Sequence, residues 1–249
     1  KYNIIIIIFS YYSMSEKLLY VLIIFMMILI YKINFKRLEY FSDSTPFLSL
    51  DKFIDVKKIN KLNKYIESLD LANQKSVSLN TRGKEYSRKI VLTDQINSKN
   101  FSFKQFRRSV FDSKYWKKGN NWKKYRELTK FIEELPFFES IGRTTLIFNY
   151  PNTPGVEHCD HRFNDIVSEF VWIRTSRKKK FYVKNNDKKY YVDNYCVWFD
   201  DHKTHNYTPS DELVFSMRID GKFKPFFRDY VSKHGNFHKQ NYRKVLLNQ

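Results

Sequence analysis

Five strand-forming runs crowd the second half of this chain and leave little room for anything but an antiparallel β core. They cover residues 144–150, 167–174, 180–184, 189–199 and 212–219, each rich in β-branched and aromatic side chains. Such residues suit a pleated, half-buried surface. The last run is the most informative. Side chains alternate along a strand, so Val214, Ser216, Arg218 and Asp220 share one face. Leu213, Phe215, Met217 and Ile219 form the other, which is wholly apolar. One face can close a core while the other lines a site.

Two segments carry helical periodicity instead. Phe53, Ile54, Val56, Ile59, Leu62, Tyr65, Ile66 and Leu69 predict a helix over 51–70. Trp122, Tyr125, Leu128, Phe131 and Leu135 predict a second over 121–135, stopped by Pro136. Polar residues 71–88 read as a loop and 89–93 as a short strand. The expected fold is α+β, with helices packed on one face of an antiparallel sandwich. The expected organisation is an apolar segment over 1–38, a helical and mixed supporting region over 39–140, a β core over 141–228 and a basic tail over 229–249.

The chemistry sits around His158-Cys159-Asp160, His205 and Arg218. Two imidazoles and a carboxylate, two of them one residue apart, suit one face of the octahedron of non-haem Fe(II). The open positions then serve co-substrate and oxygen. His158 and Asp160 follow the run 144–150 across a Pro/Gly turn, and His205 follows the run ending at Phe199. Arg218 lies within the last strand, with Ser216 two residues before it on the same face. A guanidinium and a hydroxyl so placed can hold one carboxylate of a small dicarboxylate. Together these residues point to an oxygenase. The rival readings are a turn histidine at 158, a loop histidine at 205, and an ordinary ion pair of Arg218 with Asp220 or Asp211.

The stretch Gly142–Asp220 resembles the Fe(II)/2-oxoglutarate-dependent dioxygenases, most closely their aspartyl/asparaginyl β-hydroxylase-like branch. The resemblance rests on Trp198-Phe199-Asp200-Asp201-His202-Lys203-Thr204-His205 and on Gly155-Val156-Glu157-His158. It selects His205 over His202 as the distal metal ligand. It implies a double-stranded β-helix, Fe(II) held by His158, Asp160 and His205, and 2-oxoglutarate as co-substrate with O2. It also suggests hydroxylation of a peptidyl Asp, Asn or Pro side chain. Two departures stand out. The branch has glycine where this chain has Asp160, which is the carboxylate of the wider superfamily. Its oxoglutarate arginine lies nearer the distal histidine than Arg218 does, and its Arg/His pair has no counterpart in Ile166–Arg174.

The N-terminus is different material. The runs Ile4–Phe9 and Leu18–Tyr31 are apolar, and the second, extended past Lys32 to Phe35, approaches the roughly twenty residues of a bilayer span. It predicts an uncleaved single-pass anchor, with Lys32, Lys36 and Arg37 placing the folded part on the cytoplasmic side. Residues 1–13, before the first methionine, read as an extension or a fragment boundary. The formal charge is +19, yet lysine is abundant throughout and nucleic acid is an unlikely partner on these grounds. Lys178-Lys179-Lys180 reads as a hairpin-tip charge cluster. The basic, aromatic stretch 114–125 could stack bases, but its helical spacing fits packing on a sheet better. Two cysteines give no disulfide framework. Of the two sequons, Asn100-Phe101-Ser102 and Asn206-Tyr207-Thr208, the second would put a glycan at the mouth of the expected site. From other classes, the rival functions are a membrane-tethered binding module for anionic partners and an oxygenase that repairs nucleic acid.

Overall fold

A computed structural model of the chain describes residues 25–27, 45–69, 71, 78–79, 87–96, 102, 109–110, 112–160 and 165–249. The chain divides into two compact units, Lys1–Ser44 and Thr45–Gln249. In the first, residues 25–27 are helical and their side chains exposed.

The second unit carries twelve described strands: β1 (Phe47–Ser49), β2 (Ser78–Leu79), β3 (Ser87–Val91), β4 (Thr93–Gln95), β5 (Trp116–Lys118), β6 (Phe138–Asn149), β7 (Phe170–Ile173), β8 (Phe181–Asn185), β9 (Lys188–Tyr191), β10 (Cys196–Phe199), β11 (His205–Tyr207) and β12 (Val214–Phe223). Seven form an antiparallel sheet in the order β1-β10-β7-β12-β6-β3-β2, three a smaller sheet β11-β8-β9, and β4 pairs with β5. Among the described residues of this unit the α-helices are α1 (Val56–Ser68), α2 (Asn120–Lys124), α3 (Arg126–Glu133), α4 (Pro225–His234) and α5 (Tyr242–Leu247).

Local chemistry explains the element ends. Asp55 caps α1 by accepting a hydrogen bond from Lys57 N at 2.9 Å. The helix expected over 121–135 is interrupted, because Tyr125 leaves helical dihedrals (φ −102°, ψ 55°) with its ring buried. The β8–β9 hairpin turns through Asn186 at φ 52°, a left-handed conformation that asparagine tolerates. The run expected as one strand over 189–199 divides between two sheets, β9 in the smaller and β10 in the larger.

A single apolar core joins α1 (Ile59, Leu62, Ile66), α3 (Leu128, Phe131, Ile132) and α4 (Phe227, Val231) to the apolar face of β12. The segment read as a basic tail contributes too, burying Tyr242 and Leu246 of α5.

Two expectations are corrected. The fold is α+β with an antiparallel, jelly-roll-like core, but the described strands close no barrel: the order of the large sheet is open, with β1 and β2 at its edges. Nor is a membrane anchor present among the described residues, where no helix is long and apolar enough to cross a membrane. Of the run 18–31 only residues 25–27 are described. The rest of that run, residues 1–13 and the cations at 32, 36 and 37 lie outside the described residues. A single-pass anchor, and the orientation argued from it, are not supported by the described residues.

Phe227 ties α4 to the sheet, its ring centroid 4.6 Å from Phe137, 4.8 Å from Phe223 and 5.8 Å from Phe53. Phe227→Ala should cost about 3–5 kcal/mol in urea unfolding. A loss below about 1 kcal/mol would show that this cluster does not hold the helix.

Candidate metal centre

A cavity of about 200 Å³ lies between the two sheets, and the residues singled out from the sequence converge in it. The turn from β6 runs through Pro151–Gly155. A Cβ on Gly155 would lie 2.1 Å from Asn206 Oδ1, so only glycine lets the chain approach β11 this closely. The same contact leaves Asn206 buried, which closes the second sequon in the folded chain; Asn100 of the first lies outside the described residues. His158 then pairs with His205 as an antiparallel bridge, His158 N donating to His205 O at 3.2 Å and His205 N to His158 O at 2.9 Å. Asp160 N donates to Asp201 O at 3.0 Å.

This backbone brings the side chains together. Ligand atoms of His158, Asp160 and His205 all lie within 4.8 Å of one another. His158 Nε2 is 3.6 Å from Asp160 Oδ1, and His205 Nε2 is 3.7 Å from Asp160 Oδ2. Each imidazole is oriented by a carbonyl two residues back: Val156 O is 2.7 Å from His158 Nδ1, and Lys203 O is 2.9 Å from His205 Nδ1. A carbonyl only accepts, so each Nδ1 donates to it and each Nε2 is left turned toward Asp160. Two imidazoles and one carboxylate, oriented in this way, fit a divalent first-row metal.

Burial by itself would push the Asp160 pKa up. The hydrogen bond to His205 and the charges of Arg218, His205 and His158 outweigh it and hold the carboxyl well below its usual range. The ligand is an anion at neutral pH.

Arg218 is only 5 % exposed, and all three of its nitrogens are engaged. Nε donates to Asp220 Oδ1 at 2.8 Å, Nη1 to Asp160 Oδ2 at 2.6 Å and Nη2 to Asp201 Oδ2 at 2.8 Å. Its guanidinium also lies 3.9 Å from the Phe170 ring centroid. Burial opposes the charge, and the three carboxylates more than restore it, raising the pKa. The arginine expected to grip a dicarboxylate donates to Asp160.

Sequence reasoning missed Lys179. It is 3 % exposed and lines the same cavity, donating from Nζ to Asn149 Oδ1 at 2.7 Å and to Ser216 Oγ at 2.8 Å. Both acceptors are neutral. Asn149 Nδ2 is buried with no hydrogen-bond partner, a donor aimed at nothing yet costly to bury. Ser216, expected at the site, is there. Nothing in the sequence separates Lys179 from the lysines on either side of it.

His202 is elsewhere. Its Nδ1 lies 2.6 Å from Asp200 Oδ1, and its ring packs on Tyr242 at 4.5 Å. Asp200 also accepts from His202 N at 3.1 Å and His238 N at 2.7 Å. The cluster Asp200-Asp201-His202 thus shapes the turn that delivers His205. The basic, aromatic stretch 114–125 does not line the metal cavity, and its Trp122 is buried; the nucleic-acid reading loses its support there.

No protein-family model matches the chain, and no curated protein matches it in sequence. Among solved structures it is similar to a prolyl-4-hydroxylase from Pseudomonas putida (9 % identity, TM-score 0.42, covering 73 % of this chain and 93 % of that one). It is also similar to a Trichoplax adhaerens prolyl hydroxylase in complex with a hypoxia-inducible-factor oxygen degradation domain peptide (12 %, TM-score 0.38, 76 % and 88 %). A third is HygX from Streptomyces hygroscopicus with nickel, 2-oxoglutarate and hygromycin B bound (8 %, TM-score 0.40, 74 % and 85 %).

Calorimetric titration with Co(II) should give a single site. His205→Ala should weaken it about 100-fold or more, as losing one of three ligands implies, whereas His202→Ala should leave it within about threefold. Equal losses in both variants would refute the assignment of the triad.

Proposed function

We propose that the protein is an Fe(II)- and 2-oxoglutarate-dependent oxygenase, with His158, Asp160 and His205 as metal ligands. The observation that carries this is the meeting, in one cavity, of a carbonyl-oriented His-Asp-His set and a buried lysine that donates to Asn149 and Ser216. Bound iron, 2-oxoglutarate and O2 supply the oxidising chemistry; the protein binds, orients and excludes water.

The residues divide the work by position along β12. Ser216 and Arg218 share a face and stand about 7 Å apart. Ser216 belongs to the Lys179 cradle and Arg218 to the Asp160 anchor. A five-carbon dicarboxylate reaches over such a spacing, its distal carboxylate taking donors from Lys179 Nζ, Asn149 Nδ2 and Ser216 Oγ. In this reading Lys179 grips the co-substrate and Arg218 holds Asp160 in place. Trp172, Phe181 and Phe199 line the same cavity and keep water from the reacting end. The substrate is a C–H bond in a molecule entering the cavity that β3 and β6 help to line. A peptidyl Asp, Asn or Pro side chain is the class suggested by the sequence resemblance.

An anaerobic titration with Fe(II) and 2-oxoglutarate tests this through the visible charge-transfer band. The band should appear in the native chain and vanish in His205→Ala. Lys179→Met removes a buried charged partner, worth about 2–5 kcal/mol. It should therefore raise the 2-oxoglutarate requirement at least about 30-fold, with Co(II) affinity unchanged. An unaltered requirement would place the dicarboxylate elsewhere. No band in folded, iron-loaded protein would end the oxoglutarate reading.

A further inference from the structure

The connection from β7 to β8 is the most basic part of the chain, with Arg174, Arg177, Lys178, Lys179 and Lys180 within seven positions. Lys178 pairs with Glu212 and Lys179 turns into the metal cavity. The remaining three cations line a separate cleft of about 550 Å³, together with Tyr191, Asp193 and Thr208.

Arg174 is the unusual member. It is 8 % exposed, and its Nε is buried with no hydrogen-bond partner. Its Nη2 donates to the Asp193 carbonyl. The Asp193 carboxylate stands 3.9 Å from Nη1 and is itself 96 % exposed, so solvent screens it. Asp51, the other acidic neighbour, is committed to the backbone N–H groups of Tyr195 and Cys196 at 2.9 and 2.8 Å. A second guanidinium lies close by. Arg174 and Arg177 both lie over the Tyr195 ring, at 5.8 and 5.1 Å from its centroid, and Arg177 Nε donates to Tyr195 Oη. Burial lowers the Arg174 pKa, and the charge of Arg177 lowers it further. A buried guanidinium beside a like charge, facing one screened carboxylate, is a charge whose partner comes from outside the chain.

We propose that this cleft binds a phosphate oxyanion, with Arg174 as the buried anchor and Arg177 and Lys180 as outer ligands. Two guanidinium forks and an ammonium offer donors from several directions, which a tetrahedral dianion uses fully and a planar carboxylate does not. Asp193 at the rim opposes a long polyanion and favours a compact group. Tyr191, 46 % exposed, gives a flat wall for the organic part of a phosphate ester. The cleft shares Phe181 with the metal cavity but none of its metal-ligand candidates, so the two sites stand or fall separately.

The test is calorimetry on the full chain, in phosphate- and sulfate-free buffer, with inorganic phosphate and with phenyl phosphate as probes. Saturable single-site binding is expected, tighter for phenyl phosphate if the natural ligand is an ester and equal for both if it is the free anion. Arg174→Met should weaken it about tenfold or more, while Lys188→Ala, on the hairpin outside the cleft, should not. Binding should persist in His205→Ala, which separates this site from the metal centre. Absence of saturable binding, or equal small losses in Arg174→Met and Lys188→Ala, would overturn the proposal. Should Arg174→Met fail to fold, Arg177→Met and Lys180→Met, at exposed positions, read the same effect. Unchanged affinity in both would overturn it equally.

Discussion

One guanidinium holds the centre of this structure together. Arg218 on β12 binds Asp160 from the loop after β6, Asp201 from the turn after β10, and Asp220 on its own strand. Those carboxylates come from three separate stretches of chain, and the arginine fixes each relative to the others. Removing one partner from such a buried set leaves uncompensated charge, which costs far more than an exposed ion pair returns. Arg143 adds a second cation, donating from Nε to Asp220 Oδ2 at 3.0 Å. Two cations thus face three carboxylates, beside the imidazoles of His158 and His205.

The sheet makes this possible because β12 keeps its two faces distinct. Ser216 and Arg218 line the cavity, while Phe215, Met217 and Ile219 belong to the core with α1, α3 and α4. A slip of one residue in its pairing with β6 would exchange the faces and bury the charges among the helices. The long register of β12 with β6, from Val214 opposite Asn149 to Phe223 opposite Phe138, guards against that. It also places Asn149 and Ser216 close enough to share the Lys179 ammonium. Fold specificity and site geometry are thus one constraint.

His158, Asp160 and His205 were legible because each is tied to a short local pattern: a Pro/Gly turn after one strand, and a compact turn after another. The polar face of β12 was legible from alternation alone. Arg218 was legible as part of that face, but its hydrogen bonds to Asp160 and Asp201 were not, since those carboxylates meet it only through tertiary structure. The division of 189–199 between two sheets was hidden for a similar reason. Val192–Tyr195 crosses from one sheet to the other, and its composition resembles that of the strands on either side. The helices α4 and α5 escaped because charged residues interrupt their apolar positions, Phe227 and Val231 in one and Tyr242 and Leu246 in the other. The membrane reading is overturned on a different ground: no helix among the described residues is long and apolar enough to cross a membrane.

Lys178, Lys179 and Lys180 show why net charge says so little about partners. They are chemically identical neighbours, and the fold gives each a different environment. Lys178 is exposed and balanced by Glu212; little in it would respond to an anion. Lys179 is buried, donates to Asn149 and Ser216, and acts in a low-dielectric cavity, where one charge counts for far more than in water. Lys180 stands at the rim of the Arg174 cleft. A surface lysine count averages these cases together. What selects an anionic ligand is the local mismatch between a buried cation and the groups that solvate it, and that quantity exists only once the chain has folded.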